Sequence, residues 1–143
     1  MAANISPVFT LKGDISNNGT TGMNQLVTAA GADYTGISVN YSLIWTAGAD
    51  GGYVKAIKFK AGGTNVASVA RIFINNGATP GTATNNTFFG EVSLPATTAI
   101  NTAATVEISY PVEQAFPAGF RIYFGLATAV AAGWAGNVVG GQY

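Results

Sequence analysis

Apolar residues in this chain fall mostly at every second position, in short runs separated by clusters of Gly, Pro, Asn, Asp, Ser and Thr. A period of two puts alternate side chains on opposite faces of an extended segment, so each run predicts a strand with one buried face. The clearest pair of runs lies between Ala104 and Leu126. Ala104, Val106, Ile108, Tyr110 and Val112 share one parity, and Thr105, Glu107 and Ser109 share the other. Phe120, Ile122, Phe124 and Leu126 then form a second apolar face, opposite Arg121, Tyr123 and Gly125. Between them, Phe116-Pro117-Ala118-Gly119 places Pro second and Gly fourth, which suits a type I turn. The stretch predicts a β-hairpin, or two consecutive strands joined by a longer corner.

The same reading extends along the chain. Residues 5–12 predict a first strand, whose Pro7 suits an edge position or a strand start. Residues 13–22 read as a loop because turn residues crowd them. Residues 23–29 predict a weak strand. Residues 37–46 predict a better one, with Ile37, Val39, Tyr41, Leu43 and Trp45 on one face. After a tight connection at 47–52, residues 53–60 predict a strand whose phase slips, so a β-bulge is expected near Ala56-Ile57. Residues 65–75, 87–94 and 134–139 complete the set, with loops at 61–64, 78–86, 96–103 and 127–133. About eight or nine short strands and no amphipathic helix predict an all-β fold. It would be an antiparallel β-sandwich, jelly-roll-like, over residues 1–143 as a single domain, with 1–7 as an extended N-terminal arm.

Composition narrows the chemistry. The chain has 143 residues, with no Cys and no His. Disulfides, thiolate metal sites, and the commonest general base and metal ligand are therefore all missing. Charged residues make up 8% of the chain, with six basic and six acidic side chains and zero formal net charge. An ordinary domain carries about 25%. A neutral, charge-poor surface offers little repulsion against association, and buried interfaces are depleted in charge, so much of this surface is expected to be covered by neighbours. Residues 122–143 carry no charge, but Gly125, Gly133, Gly136, Gly140 and Gly141 interrupt them and no cation anchors their far end. They read as a buried strand and its loops, and no membrane partner is expected. The start of the chain lacks the basic and apolar regions of a signal peptide. Acceptor triplets at Asn4, Asn18, Asn40 and Asn85 carry little weight in so Asn- and Thr-rich a chain.

Candidate chemistry is sparse. A carboxylate pair can hydrolyse a glycoside without His, and Glu107 and Glu113 are the nearest candidates. On the strand pattern they read as ordinary surface residues, so no catalytic residue is assigned and no enzyme is expected. Asp33 and Asp50 stand singly in loops, whereas calcium needs clustered oxygens, so no metal or other cofactor is expected. Lys55, Lys58 and Lys60 fall together on one strand; they read as a solubilising or edge-blocking face, and no nucleic-acid partner is expected. Trp45, Tyr53, Trp134 and Tyr143 are the aromatics that would stack on a sugar. Trp45 shares a face with Leu43 and Tyr41 and reads as core. Trp134, between glycines near the end of the sequence, reads as a surface or interface residue.

Several blocks resemble a known group. They are Arg71-Ile72-Phe73-Ile74-Asn75-Asn76-Gly77, Glu91-Val92-Ser93-Leu94-Pro95-Ala96-Thr97-Thr98, Phe116-Pro117-Ala118-Gly119-Phe120-Arg121, Ala129-Val130-Ala131-Ala132-Gly133-Trp134 and Gly140-Gly141-Gln142-Tyr143. Asn4-Ile5-Ser6-Pro7 adds a looser match. Together they resemble small structural proteins of tailed bacteriophages, often encoded near the major capsid protein. The likeness covers roughly residues 53–143 and consists of strand-and-turn pattern, with no site motif to carry over. It implies a virion component of β-sandwich fold, made in the host cytoplasm. The expected role is a head decoration (cement) protein that sits on the outer capsid surface as a homotrimer and binds the major capsid protein. Ile5, Pro7, Val8, Trp134 and Tyr143, at the two ends of the sequence, are the expected contact residues. A carbohydrate- or receptor-binding module of a head or tail fibre, and a minor tail component, are the alternative readings.

Overall fold

Antiparallel pairing gathers the alternating runs into two stacked sheets. The computed structural model describes residues 12–16, as backbone, and residues 26–143. The strands are β1 (Lys12–Ser16), β2 (Ser42–Thr46), β3 (Gly52–Ala61), β4 (Ser68–Asn75), β5 (Asn86–Leu94), β6 (Glu107–Phe116), β7 (Arg121–Leu126) and β8 (Trp134–Gln142), with a short 3₁₀ turn at Ala83–Asn85. One sheet has the order β1-β8-β3-β6 and the other β2-β7-β4-β5. The chain changes sheet at every connection except β4 to β5, which pair directly. This is the connectivity of a jelly roll. The expected all-β antiparallel sandwich is therefore the fold observed.

Alternation decides what lies between the sheets. Ala70, Ile72 and Ile74 of β4 face inward, with Ile122, Phe124 and Leu126 of β7. From the facing sheet come Val54, Ile57, Phe59 and Ala61 of β3, and Trp134 and Val138 of β8. Phe59 meets Phe124 edge to face, with ring centroids 5.3 Å apart. The phase slip in β3 is a bulge: register shifts between Val54 and Ala56 on both neighbouring strands, one residue ahead of the expected place. The bulge lets Val54 and Ile57, of opposite parity, both point inward.

Several boundaries differ from the sequence reading. Residues 13–16, expected in a loop, belong to β1, because the end of β8 supplies a complete antiparallel partner from Val138 to Gln142. Backbone pairing along an edge overrides the turn propensity of Gly13 and Asp14. The expected first strand at 5–12 otherwise lies outside the described residues. Residues 26–29 form no strand; only the isolated bridge of Val27 to Trp134 remains. The strand expected at 37–46 is halved. Val39 is 96% exposed, and only residues 42–46 pair with β7. Ahead of them, the Asp33 carboxylate takes the N–H groups of Thr35, Gly36 and Ile37, and the Ser38 hydroxyl takes that of Asn40. Side chains that capture the backbone in this way compete with sheet pairing. A register shift between Leu43 and Trp45 then buries both Ile44 and Trp45.

The stretch around Pro117 is a corner between sheets, since β6 pairs with β3 and β7 pairs with β2 and β4. Its hydrogen bond runs from the Phe120 N–H to the Pro117 carbonyl. Gly119 is thereby the third turn residue, with φ 76°, as a type II turn requires. Strand β6 lies at a sheet edge, which is where Pro111 is tolerated. Uncharged residues 122–143 form most of β7, a loop and β8. No helix among the described residues is long and apolar enough to cross a membrane.

Candidate interaction surface

The loops 61–67, 95–106 and 127–133 gather at one end of the sandwich, and none of them contains a charged residue. Their backbone is held by short polar side chains. Asn65, 4% exposed, is the hub. Its Oδ1 accepts the N–H groups of Ala132 (2.8 Å) and Gly133 (3.0 Å), and its Nδ2 donates to the Gly133 carbonyl at 3.0 Å. Its backbone pairs in both directions with Thr97. The Thr97 hydroxyl donates to the Gly63 carbonyl at 2.6 Å. Ser68 exchanges two hydrogen bonds with Thr128, and Thr105 donates to the Ala61 carbonyl. Loops that bridge one another this densely hold their shape without a partner.

Four aliphatic side chains stand exposed at this end: Leu26, Val66 (59%), Ile100 (54%) and Val106. Leu26 is placed here by its neighbours, because a Cβ added at Gly62 or Gly133 would touch it. Charged residues of β3 and β6 border it on one side. Lys60 Nζ donates to the Thr105 carbonyl at 2.6 Å, and Lys58 pairs with Glu107 at 3.4 Å. An uncharged surface carrying exposed aliphatic groups has the composition of a protein–protein interface core. Sequence reasoning missed Val66 and Ile100: it put Val66 in a strand over 65–75 that begins only at Ser68, and Ile100 in a loop with no strand pattern. The signal that finds them is the lack of charge in three loops that pairing brings together.

The residues singled out from sequence are dispersed. Trp134, expected at the surface, is fully buried between the sheets, so it offers no ring to a sugar and no contact to a partner. Its backbone is bridged to Val27 and paired with Ala61. Trp45 is buried as expected, against Phe116 at 5.6 Å. Tyr143 is half-buried at the opposite end, with its N–H on the Gly51 carbonyl. Ile5, Pro7 and Val8 lie outside the described residues. Glu107 and Glu113 sit on one strand, six residues and so roughly 20 Å apart. That separation exceeds what glycosidase carboxylates use. Asp33 spends one oxygen on its own turn, and Asp50 is exposed in a turn. No three potential metal ligands of the His, Cys, Asp or Glu type cluster among the described residues. Lys55 and Lys58 are exposed, Lys60 half-buried.

A second surface lies on the outer face of the β2-β7-β4-β5 sheet. There residues 31–41 cover Arg71 and Phe73, the outward positions of β4. The Tyr41 ring lies on Gly125, where a Cβ would come within 2.0 Å of it, and stacks on Phe73 with centroids 4.7 Å apart. No side chain other than glycine's hydrogen fits at position 125. The Tyr41 hydroxyl donates to the carbonyls of Gly31 and Asp33. Arg71 donates to the same two carbonyls, lies 3.8 Å from the Tyr34 ring centroid, and faces Glu91 at 3.9 Å. The guanidinium is thus balanced by a carboxylate, two carbonyls and an aromatic face, as a buried cation must be.

Burial, with the Asp33 charge adding to it, pushes the Tyr41 hydroxyl up to about 12. A raised acid stabilises the folded state fully below the unfolded value, near 10, and loses that contribution as pH rises toward about 12. Tyr41→Phe is therefore expected to remove the tyrosinate transition that the folded protein shows at about 12. The measurement is tyrosinate absorbance against pH in both proteins. Burial also raises the Asp33 carboxyl, but the Thr35 hydroxyl and the N–H groups of Thr35, Gly36 and Ile37 outweigh it, and the net shift is downward.

Beside this cover a cleft of about 340 Å³ opens, lined by Ile37, Val39, Tyr41, Pro80, Gly81 and Tyr123 among others. No charged residue lines it. The chain matches no family model, no curated protein and no solved structure.

Proposed function

We propose that this protein is a virion structural component, a decoration protein that binds the outer surface of a phage head through its uncharged loop end. The observation that carries the reading is that end itself: four exposed aliphatic side chains beside loops fixed by Asn65, Thr97 and Ser68, bordered on one side by Lys58, Lys60 and Glu107. Such a surface recognises a partner by shape and apolar burial. A preformed surface also avoids the entropic cost of ordering loops on binding. Its affinity per seat is modest, and an oligomer multiplies it by avidity. The choice of a phage head as partner rests on the resemblance of residues 53–143 to phage structural proteins. The jelly roll and the charge-poor composition agree with it, because both suit repeated contacts in an assembly.

The reading assigns the contact to residues away from the ends of the sequence. Val66→Asp with Ile100→Asp is expected to weaken binding to emptied phage heads by at least about a hundredfold, because each introduced carboxylate must be desolvated. Both side chains are exposed, so thermal stability should stay nearly unchanged. Co-sedimentation with the heads and a melting curve give the two readouts. Unchanged binding by the double variant would remove the loop end as the seat.

A further inference from the structure

The chain leaves β4 through Asn75-Asn76-Gly77-Ala78. Of the asparagines among the described residues, Asn76 alone is followed by glycine. The amide groups of Asn40, Asn65, Asn85 and Asn86 each donate from Nδ2 to a backbone carbonyl. Asn76 is exposed, and nothing among the described residues holds its Nδ2. Its Oδ1 accepts the Ala78 N–H at 3.0 Å. That bond is an Asx turn, and the ring it closes folds the side-chain carbonyl carbon of Asn76 back toward the peptide nitrogen of Gly77.

The surroundings suit an attack of that nitrogen on that carbon. Gly77 brings no Cβ to crowd the approach, and it sits at φ 92°. Its N–H donates to Asn75 Oδ1 at 2.9 Å, and Asn75 is fully buried. This hydrogen bond follows the N–H direction, in the plane of the peptide group, so the faces of the nitrogen stay open to the Asn76 side chain. The Ala78 N–H points at Oδ1, the oxygen on which negative charge develops as the new bond forms, so it acts as a single oxyanion donor. The arrangement holds the two reacting groups close in one molecule, which replaces an encounter by a rotation.

We propose that Asn76 is a site of self-modification, at which the folded chain deamidates through a cyclic imide. The Gly77 nitrogen bonds to Cγ of Asn76 and its proton passes to solvent. The Cγ–Nδ2 bond breaks, and Nδ2 leaves as ammonia. One water then opens the five-membered imide at either carbonyl. Opening at Cγ gives aspartate, and opening at the backbone carbonyl gives isoaspartate, in which the chain runs through the side-chain carbon. Either product takes the formal net charge from zero to minus one. The new carboxylate arises near Arg121, whose Nη1 donates to the Ala78 carbonyl at 3.4 Å. Isoaspartate also lengthens the turn where Gly77 rests on the Gly119 carbonyl, a contact that leaves no room for a Cβ. The inference does not depend on the phage-head reading.

The test is peptide mapping of the full-length folded chain during incubation at mildly alkaline pH. Cleavage after Arg71 and Arg121 releases Ile72–Arg121, which carries Asn76, while cleavage after Lys12 and Lys55 releases Gly13–Lys55. The second peptide holds Asn18-Gly19, a pair outside the described residues, so the two sites are read apart. Tandem mass spectrometry places each conversion and tells isoaspartate from aspartate. Asn76 is expected to convert at least about tenfold faster than any other described asparagine, with isoaspartate among the products. Asn76→Gln should abolish the conversion at that position, because a six-membered imide closes far more slowly, and leave Asn18-Gly19 as it was. A free peptide spanning residues 72–81 is the positive control. Asn76 left intact in the folded chain while that peptide converts overturns the proposal, and so does conversion at Asn76 no faster than at the other described asparagines.

Discussion

Trp134→Ala is expected to destabilise the protein by about 3–5 kcal/mol, the usual cost of emptying a large aromatic site in a core. Trp134 is fully buried, and it packs where β8 begins, between the paired end of β3 and the bridge to Val27. Removing the indole leaves a cavity that both sheets border, and the glycines beside it, Gly133 and Gly136, carry no side chain that can swing in to fill it. A stable domain has only about 5–15 kcal/mol to lose. For a chain of this size the change corresponds to a fall in melting temperature of roughly 10–15 °C. Circular dichroism against temperature measures it, and Trp134→Phe should recover much of the loss. If Trp134→Ala melted with the unsubstituted protein, the indole would not be core, and its place at an interface would be restored.

The second large effect is expected at Asn65. Its side chain satisfies two N–H groups and one carbonyl in the 127–133 loop from a buried position. In Asn65→Ala the two N–H groups lose their partner, while the Gly133 carbonyl keeps the Gly62 N–H. A buried polar group left unpaired costs about 1–3 kcal/mol, and water entering the vacated space recovers part of it. A net loss of about 2–4 kcal/mol follows. The change should also act locally. Gly133 sits at φ 81°, a conformation held in place by these bonds, and its release loosens the start of β8 and the loop before it. Amide hydrogen exchange is expected to accelerate at 127–133 and 62–67, while β4 and β7 keep their protection. On the proposed reading, binding to phage heads falls as well, because the aliphatic groups lose their fixed frame. A uniform acceleration through all strands would mean that Asn65 only supports global stability.

The sandwich was legible because its strands obey the period of two where one face meets the core. Residues 120–126 show this: Ile122, Phe124 and Leu126 are buried as the alternation requires. The β3 bulge was legible for the same reason, since Ile57 and Phe59 fall out of phase with Val54. Where local side chains replace neighbouring strands as hydrogen-bond partners, the pattern misleads. Ile37 and Val39 alternate like strand residues, yet the Asp33 and Ser38 side chains hold that segment as a loop on the sheet's outer face. Strand β1 shows the converse. Its sequence says turn, but β8 offers a partner along its whole length, and the pairing is non-local. Trp134 was misplaced because flanking glycines suggested exposure. In the fold they let neighbouring parts of the structure approach, as at Gly136, where a Cβ would meet the Phe124 ring at 2.6 Å. The uncharged end was written in the composition of three loops, but only pairing reveals that they meet.

The most direct test is hydrogen exchange of the full chain, free and bound to emptied phage heads that lack it. Binding through the uncharged end predicts added protection at 61–67 and 95–106, with the loops at 47–51 and 117–119 unchanged. Protection confined to those opposite loops, or none anywhere, would contradict the account.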